Sequence, residues 1–74
     1  GRSAMAEFHI EFKDAAGNKR GSKNYSEPTD THALTTGRNL LTSAHRTNKR
    51  IVLATVSRRV LFPSRTKEIA DLKV

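Results

Sequence analysis

The sequence contains no cysteine and no tryptophan. Without thiols there is no disulfide, no thiolate zinc site and no cysteine nucleophile. A cysteine-free chain suits a reducing compartment, and a cytoplasmic location is expected. Aromatic residues are scarce: Phe8, Phe12, Tyr25 and Phe62 are the whole set. So few rings disfavour the serial stacking platforms that hold single-stranded nucleic acid. No apolar run approaches the roughly 20 residues of a membrane helix. No secretory leader pattern opens the chain, so neither a membrane nor an extracellular role is expected. Internal repeats and low-complexity tracts are absent.

Catalytic signatures are missing as well. No Gly-x-Ser-x-Gly elbow occurs, and nothing pairs a nucleophile with a base and an orienting group. Glu7 and Glu11 lie four residues apart on one strand face, about 13 Å along the strand, too far for cooperating carboxylates. Gly17-Asn18-Lys19-Arg20-Gly21 has glycines and cations in one loop. It lacks Walker spacing and ending, and reads as a hairpin turn or a basic loop that touches a phosphate backbone. His32 and His45 fall about 140° apart around a helix, and His9 points outward from a strand, so no metal site forms from them. The expected protein is not an enzyme, has no catalytic or metal site, and needs no cofactor or small-molecule substrate.

What the chain does have is positive charge, +7 over 74 residues. Its distribution matters more than its size. Every acid lies toward one end or the other: Glu7, Glu11, Asp14, Glu27 and Asp30, then Glu68 and Asp71. Between Thr31 and Lys67 there is no acid, yet Arg38, Arg46, Lys49, Arg50, Arg58, Arg59, Arg65 and Lys67 all fall there. Such a stretch sets up a field that attracts polyanions.

The hydrophobic pattern predicts one small α+β domain over residues 5–74. Gly1-Arg2-Ser3-Ala4 precedes Met5 and reads as a cloning remnant. Residues Glu7–Lys13 alternate, with Phe8, Ile10 and Phe12 on one face, as in a half-buried strand. Asp14–Asn18 reads as a turn, with Gly17 supplying positive φ. Lys19–Tyr25 is polar and suits either an edge strand or a mobile loop. Thr29 or Asp30 caps a helix expected over Thr31–Thr47. Its apolar stripe is Ala33, Leu34, Gly37, Leu40, Leu41 and Ala44. Gly37 costs a helix about 1 kcal/mol against alanine, which suggests close packing there. Asn48 suits a left-handed helix end. Ile51–Val56 has the two-sided apolar pattern of a central strand. A bulge or tight turn at Arg58-Arg59 then leads to a short strand at Val60-Leu61-Phe62, ended by Pro63. In the tail, Lys67–Val74, the alternation of Ala70, Leu72 and Val74 favours a last strand over the helical turn that the spacing of Ile69 and Leu72 also allows. The expected fold is one helix packed on a small antiparallel sheet, in strand-strand-helix-strand-strand order.

The helix carries Arg38, Thr42, His45, Arg46 and Lys49 within about 100° of each other, beside the apolar stripe. That face is either solvated or laid against phosphates. Alternation sends Arg58 and Arg59 to opposite sheet faces, one of them near Arg50 or Arg65. The candidate phosphate contacts are therefore Arg38, Arg46, Lys49, Arg50, Arg58 and Arg59. The outline resembles small phage and mobile-element accessory proteins in size and element order, without a shared motif. Thr47-Asn48-Lys49-Arg50-Ile51-Val52-Leu53 resembles the start of a strand in bacterial pleckstrin-like domains, whose seven strands exceed what this length holds.

The expected function is nucleic-acid binding or association, mainly through phosphate contacts. The alternative is a non-enzymatic protein-interaction module, such as a regulator or inhibitor of a larger complex, or a self-associating fragment or engineered chain. Protein partners and a homodimer stay open under that alternative.

Overall fold

Alternation along the first strand decides where the core lies. In the computed structural model, which describes residues 4–61 and 64–74, β1 spans Ala6–Lys13. It buries Phe8, Ile10 and Phe12 on one side and keeps polar residues on the other. The next residues turn back at once. Gly17 has φ +87°, a conformation that costs glycine nothing, and its amide donates to the Asp14 carbonyl at 2.9 Å. The second strand, β2, runs from Lys19 to Glu27 and pairs antiparallel with β1. The polar segment is thus an edge strand, and the supposed basic loop is a tight hairpin turn.

Helix α1 covers Asp30–Thr47. Thr29 is its N-cap, and the threonine hydroxyl accepts from the His32 amide at 3.1 Å. After the helix, β3 spans Leu53–Val60 and β4 spans Arg65–Lys73. The sheet is fully antiparallel in the order β2-β1-β3-β4. This is the expected α+β arrangement, one helix on a four-stranded sheet in β-β-α-β-β order.

Three local expectations need correction. Asn48 is not left-handed; its backbone is extended at φ −140° and ψ 105°. Its side-chain oxygen instead accepts the Arg50 amide at 3.0 Å and its carbonyl accepts the Ile51 amide. A local side-chain bond therefore turns the chain where a left-handed residue was expected. Second, Arg58 and Arg59 do not interrupt the strand: β3 runs through both to Val60, and Leu61 begins a turn. The irregularity sits in β4, where Val56 faces Ala70 but Ser57 faces Glu68, leaving Ile69 as the extra residue. Phe62 and Pro63 lie outside the described residues. Third, β3 is central but not covered on both faces. Ala54 and Val56 are buried under the helix, whereas Leu53 and Thr55 stay partly exposed on the open side.

The core forms between α1 and one sheet face. Phe8, Ile10, Phe12, Ala54, Val56 and Leu72 meet Ala33 and Leu41, with Ile51 closing one end. Tyr25 stacks on Phe8 with ring centres 5.8 Å apart, and its hydroxyl donates to the Ala33 carbonyl at 2.7 Å. Burial, helped by the Glu27 charge, pushes the Tyr25 phenol up, so it stays a donor. Gly37 sits at the closest approach. A Cβ there would lie 3.0 Å from Val56 Cγ2 and 3.3 Å from both Leu72 Cδ1 and the Tyr25 hydroxyl. Among the described residues, no helix is long and apolar enough to cross a membrane.

The hairpin turn is organised by Asp14, which is buried. Its carboxylate accepts the Ala16 and Asn18 amides at 3.0 and 2.9 Å and meets Arg20 at 3.1 Å. The Asn18 amide is the largest influence and holds the carboxyl below its ordinary value. Burial opposes this, while the Asn18 side chain, Arg20 and the Ala16 amide add to it, and the net effect is a lowered value. Stabilisation from such a depressed group is present above the unfolded carboxylate value and fades as pH falls through the folded one.

Two stability predictions follow from this packing. Gly37→Ala should lower stability by about 1 kcal/mol, because overpacking against a fixed Val56 (about 1–3 kcal/mol) outweighs about 1 kcal/mol of helix propensity. For a domain of this size that is a fall of about 4–8 °C in Tm; a rise would mean the neighbours yield freely. Asp14→Asn should lower Tm at pH 7, with the deficit shrinking as pH drops below 4. A deficit that stays constant across that range would remove the carboxylate from the account.

Candidate nucleic-acid interface

The sheet has two ends, and the cations are sorted between them by strand order. At one end lie the close of β1, the hairpin turn, the start of β2, the last turn of α1, the α1–β3 loop and the close of β4. Hydrogen bonds tie these segments together. The Val52 amide donates to the Lys13 carbonyl at 3.1 Å, and the Val74 amide to the Val52 carbonyl at 2.9 Å. His45 Nδ1 meets the Ile51 carbonyl at 2.8 Å, fastening the helix end to the loop.

Three of the six candidate residues are on this end. Arg46 is in the last helical turn, and Lys49 and Arg50 form the tip of the Asn48 turn; all three are exposed. The sheet register adds Lys13 and Lys73, which the sequence pattern did not single out, and aligns Lys19 of the hairpin with them. Lys19, Lys13, Leu53 and Lys73 face one another in succession across the four strands. Adjacent strands are about 4.8 Å apart, so the row from Lys19 to Lys73 is about 14 Å wide. Lys13 and Lys73 carried no local signal, because one closes an alternating strand and the other sits in a short tail. Only the pairing of β1, β3 and β4 puts them beside Lys49 and Arg50.

The acid at this end is already engaged. Asp14 is buried and surrounded by its own turn amides and Arg20. Two residues further along the strands, Glu11 and Asp71 occur on the open sheet face. There Lys13 Nζ donates to Thr55 Oγ1 at 3.1 Å, and Thr55 donates to Asp71 at 2.7 Å. Glu7, His9, Ser57 and Arg59 continue that face, which is therefore of mixed charge. Lys13, Lys19 and Lys73 border that same open face, with Glu11 and Asp71 in the next row, whereas Arg46, Lys49 and Arg50 come from the helix end and the loop.

Arg38, Arg58 and Arg59 are elsewhere. Arg38 lies two turns up the helix from Arg46, exposed on its flank. Arg58 and Arg59 stand at the far end of β3, six residues or about 20 Å from Leu53. Alternation separates the two as expected. Arg58 is on the helix side, opposite Phe8, and Arg59 is on the open side. Arg58 reaches Asp30 at 3.5 Å, an ion-pair distance too long for a hydrogen bond to that otherwise unpartnered oxygen. Both side chains are half exposed, so the pair contributes little. Of the two expected neighbours, Arg65 is close to Arg59, on the adjoining end of β4 where Arg59 faces Thr66, whereas Arg50 precedes the opposite end of β3.

Part of the basic end has an ordinary structural use. Cations in a last helical turn offset the partial negative charge of the helix C-terminus, by about 0.3–1 kcal/mol each. Arg46 fits that role, but Lys13, Lys19 and Lys73 do not belong to the helix. The three histidines are each occupied locally. His9 meets Asn24 at 2.7 Å, His32 meets Thr29 at 2.8 Å, and His45 holds the loop. Among the described residues, no group of three or more histidine or acidic side chains could hold a metal ion. No family model matches the chain, and neither curated proteins nor solved structures give a significant match.

Proposed function

We propose that the protein is a non-enzymatic nucleic-acid-binding domain that contacts phosphates through the basic end of its sheet. The observation that carries this reading is the convergence of Lys13, Lys19, Arg46, Lys49, Arg50 and Lys73 from separate segments on one end. The mechanism is charge neutralisation with release of condensed counterions, so binding is tolerant of sequence and steeply salt-dependent. Arg38 extends the positive surface along the helix. Arg58 and Arg59, at the far end, serve as secondary contacts for a longer ligand.

A protein-interaction module is the second reading. Met5 and Leu61 are exposed at 55% and 69%. With Ala6 and Val60 they border a shallow depression rimmed by Arg58 and Arg59. Apolar side chains gathered at one corner favour a protein contact, and a homodimer through this corner is its simplest form.

Titration of a labelled oligonucleotide at several salt concentrations distinguishes the two. The Arg46→Ala/Lys49→Ala variant should bind more weakly at every salt concentration. Its slope of log affinity against log salt should be shallower by about 2, one unit for each lost phosphate contact. Unchanged affinity would remove these residues from the interface. A chain that binds no oligonucleotide at low salt and is already dimeric by light scattering would favour the protein-interaction reading.

A further inference from the structure

We infer that the basic end is built for a duplex rather than for a single strand, an inference that rests on the nucleic-acid reading above. Three observations support it. The first is that no phenylalanine or tyrosine ring among the described residues is free to stack on a base. Phe8 and Phe12 are buried at 2% and 4% exposure. Tyr25 is half-buried, stacked on Phe8 and hydrogen-bonded to the helix. Proteins that hold single strands gain about 1–3 kcal/mol per base from such rings. Here that gain is missing, and a flexible strand would still lose conformational freedom on binding.

The second observation is the width and rigidity of the lysine row. Lys19 and Lys73 stand on opposite edges of the sheet, with Lys13 between them. The row of about 14 Å is comparable with the roughly 12 Å width of a B-form major groove. Cations at its two edges can therefore meet phosphates on the two strands that flank a groove. A single strand offers one backbone and cannot engage both edges without folding back. The Asp14 turn sets the position of Lys19, and β3–β4 pairing sets that of Lys73. The spacing is thus fixed before binding, which reduces the ordering cost for a rigid ligand.

The third observation is charge density. A duplex presents one phosphate per about 1.7 Å of axis, against about 3.4 Å for each of its strands. An end that carries cations on several segments gains most from the denser array. The charge argument holds for duplex DNA and duplex RNA alike, but the width match belongs to B-form DNA, because the A-form major groove is deep and narrow.

The test compares the wild-type chain on four probes of one sequence: duplex DNA, duplex RNA, and one strand of each. At a fixed low salt concentration duplex DNA should bind at least about tenfold more tightly than its single strand, and more tightly than duplex RNA. The Lys19→Gln/Lys73→Gln variant removes only exposed charges at the two edges, and circular dichroism verifies its fold. It should lose most of the duplex preference while its single-strand affinity changes less than about threefold. Single strands bound as tightly as duplexes, with Arg46→Ala/Lys49→Ala still weakened, overturn the duplex inference and leave the basic-end reading standing. Binding to none of the four probes overturns both. A duplex preference that survives intact in Lys19→Gln/Lys73→Gln removes the lysine row as its cause and overturns the inference as stated.

Discussion

The helix rests on the sheet where Gly37 leaves room for Val56, Leu72 and the Tyr25 hydroxyl. Much else depends on that approach. With one helix and one covered sheet face, the core is a single thin layer, and its thickness is set by the closest contact. A side chain at position 37 would lift the helix from β3 and open the contacts of Leu41 and Ala33 below it. Lifting the helix would also move its last turn, and with it His45, which holds the Ile51 carbonyl and so the tip bearing Lys49 and Arg50. The packing of one glycine is in this way connected to the placement of cations several turns away.

Charge is separated by the same architecture. The open sheet face carries acids and bases in neighbouring positions, linked in part through Ser26–Glu7 and the Lys13–Thr55–Asp71 chain. Its local field is reduced because acids and bases are interspersed across it, with Thr55 bridging Lys13 and Asp71. Toward the hairpin end cations outnumber acids, in part because Asp14 is turned inward to organise the hairpin. An acid that would otherwise weaken the basic end is used to build the turn that presents Lys19 and Arg20. Arg20 is partly spent in that arrangement, whereas Lys19 stays exposed.

Edge strands are a hazard in a four-stranded sheet, since unpaired backbone groups can recruit another chain. Both edges here carry features that resist it. The β2 edge has Lys19, Arg20 and Lys23 along nine residues, and β4 is bent by the extra residue at Ile69. Lysine on an edge can therefore serve two ends at once, discouraging strand addition and attracting phosphate.

Local pattern was enough for β1 and the helix, but it left β2 as strand or loop and broke β3 at Arg58-Arg59, where the structure runs through. Period-two alternation around Phe8, Ile10 and Phe12, the Asp14–Gly17 turn, the Thr29 cap and the stripe through Leu41 each need only neighbours within one turn or one strand. The acid-free basic stretch was also plain in the sequence, and it pointed to Arg46, Lys49 and Arg50, which do lie together. What only the tertiary structure decided is which other cations join them. Lys13 and Lys73 are far apart in the chain and meet through a shared partner in β3; Arg58 and Arg59 are close in sequence to Arg50 yet stand at the other end of the same strand. Strand order and register depend on pairing between distant residues, and no local propensity encodes them. The sequence by itself thus determined the fold class and the sign of the charge, and the antiparallel pairing of β1, β3 and β4 decided where that charge is concentrated.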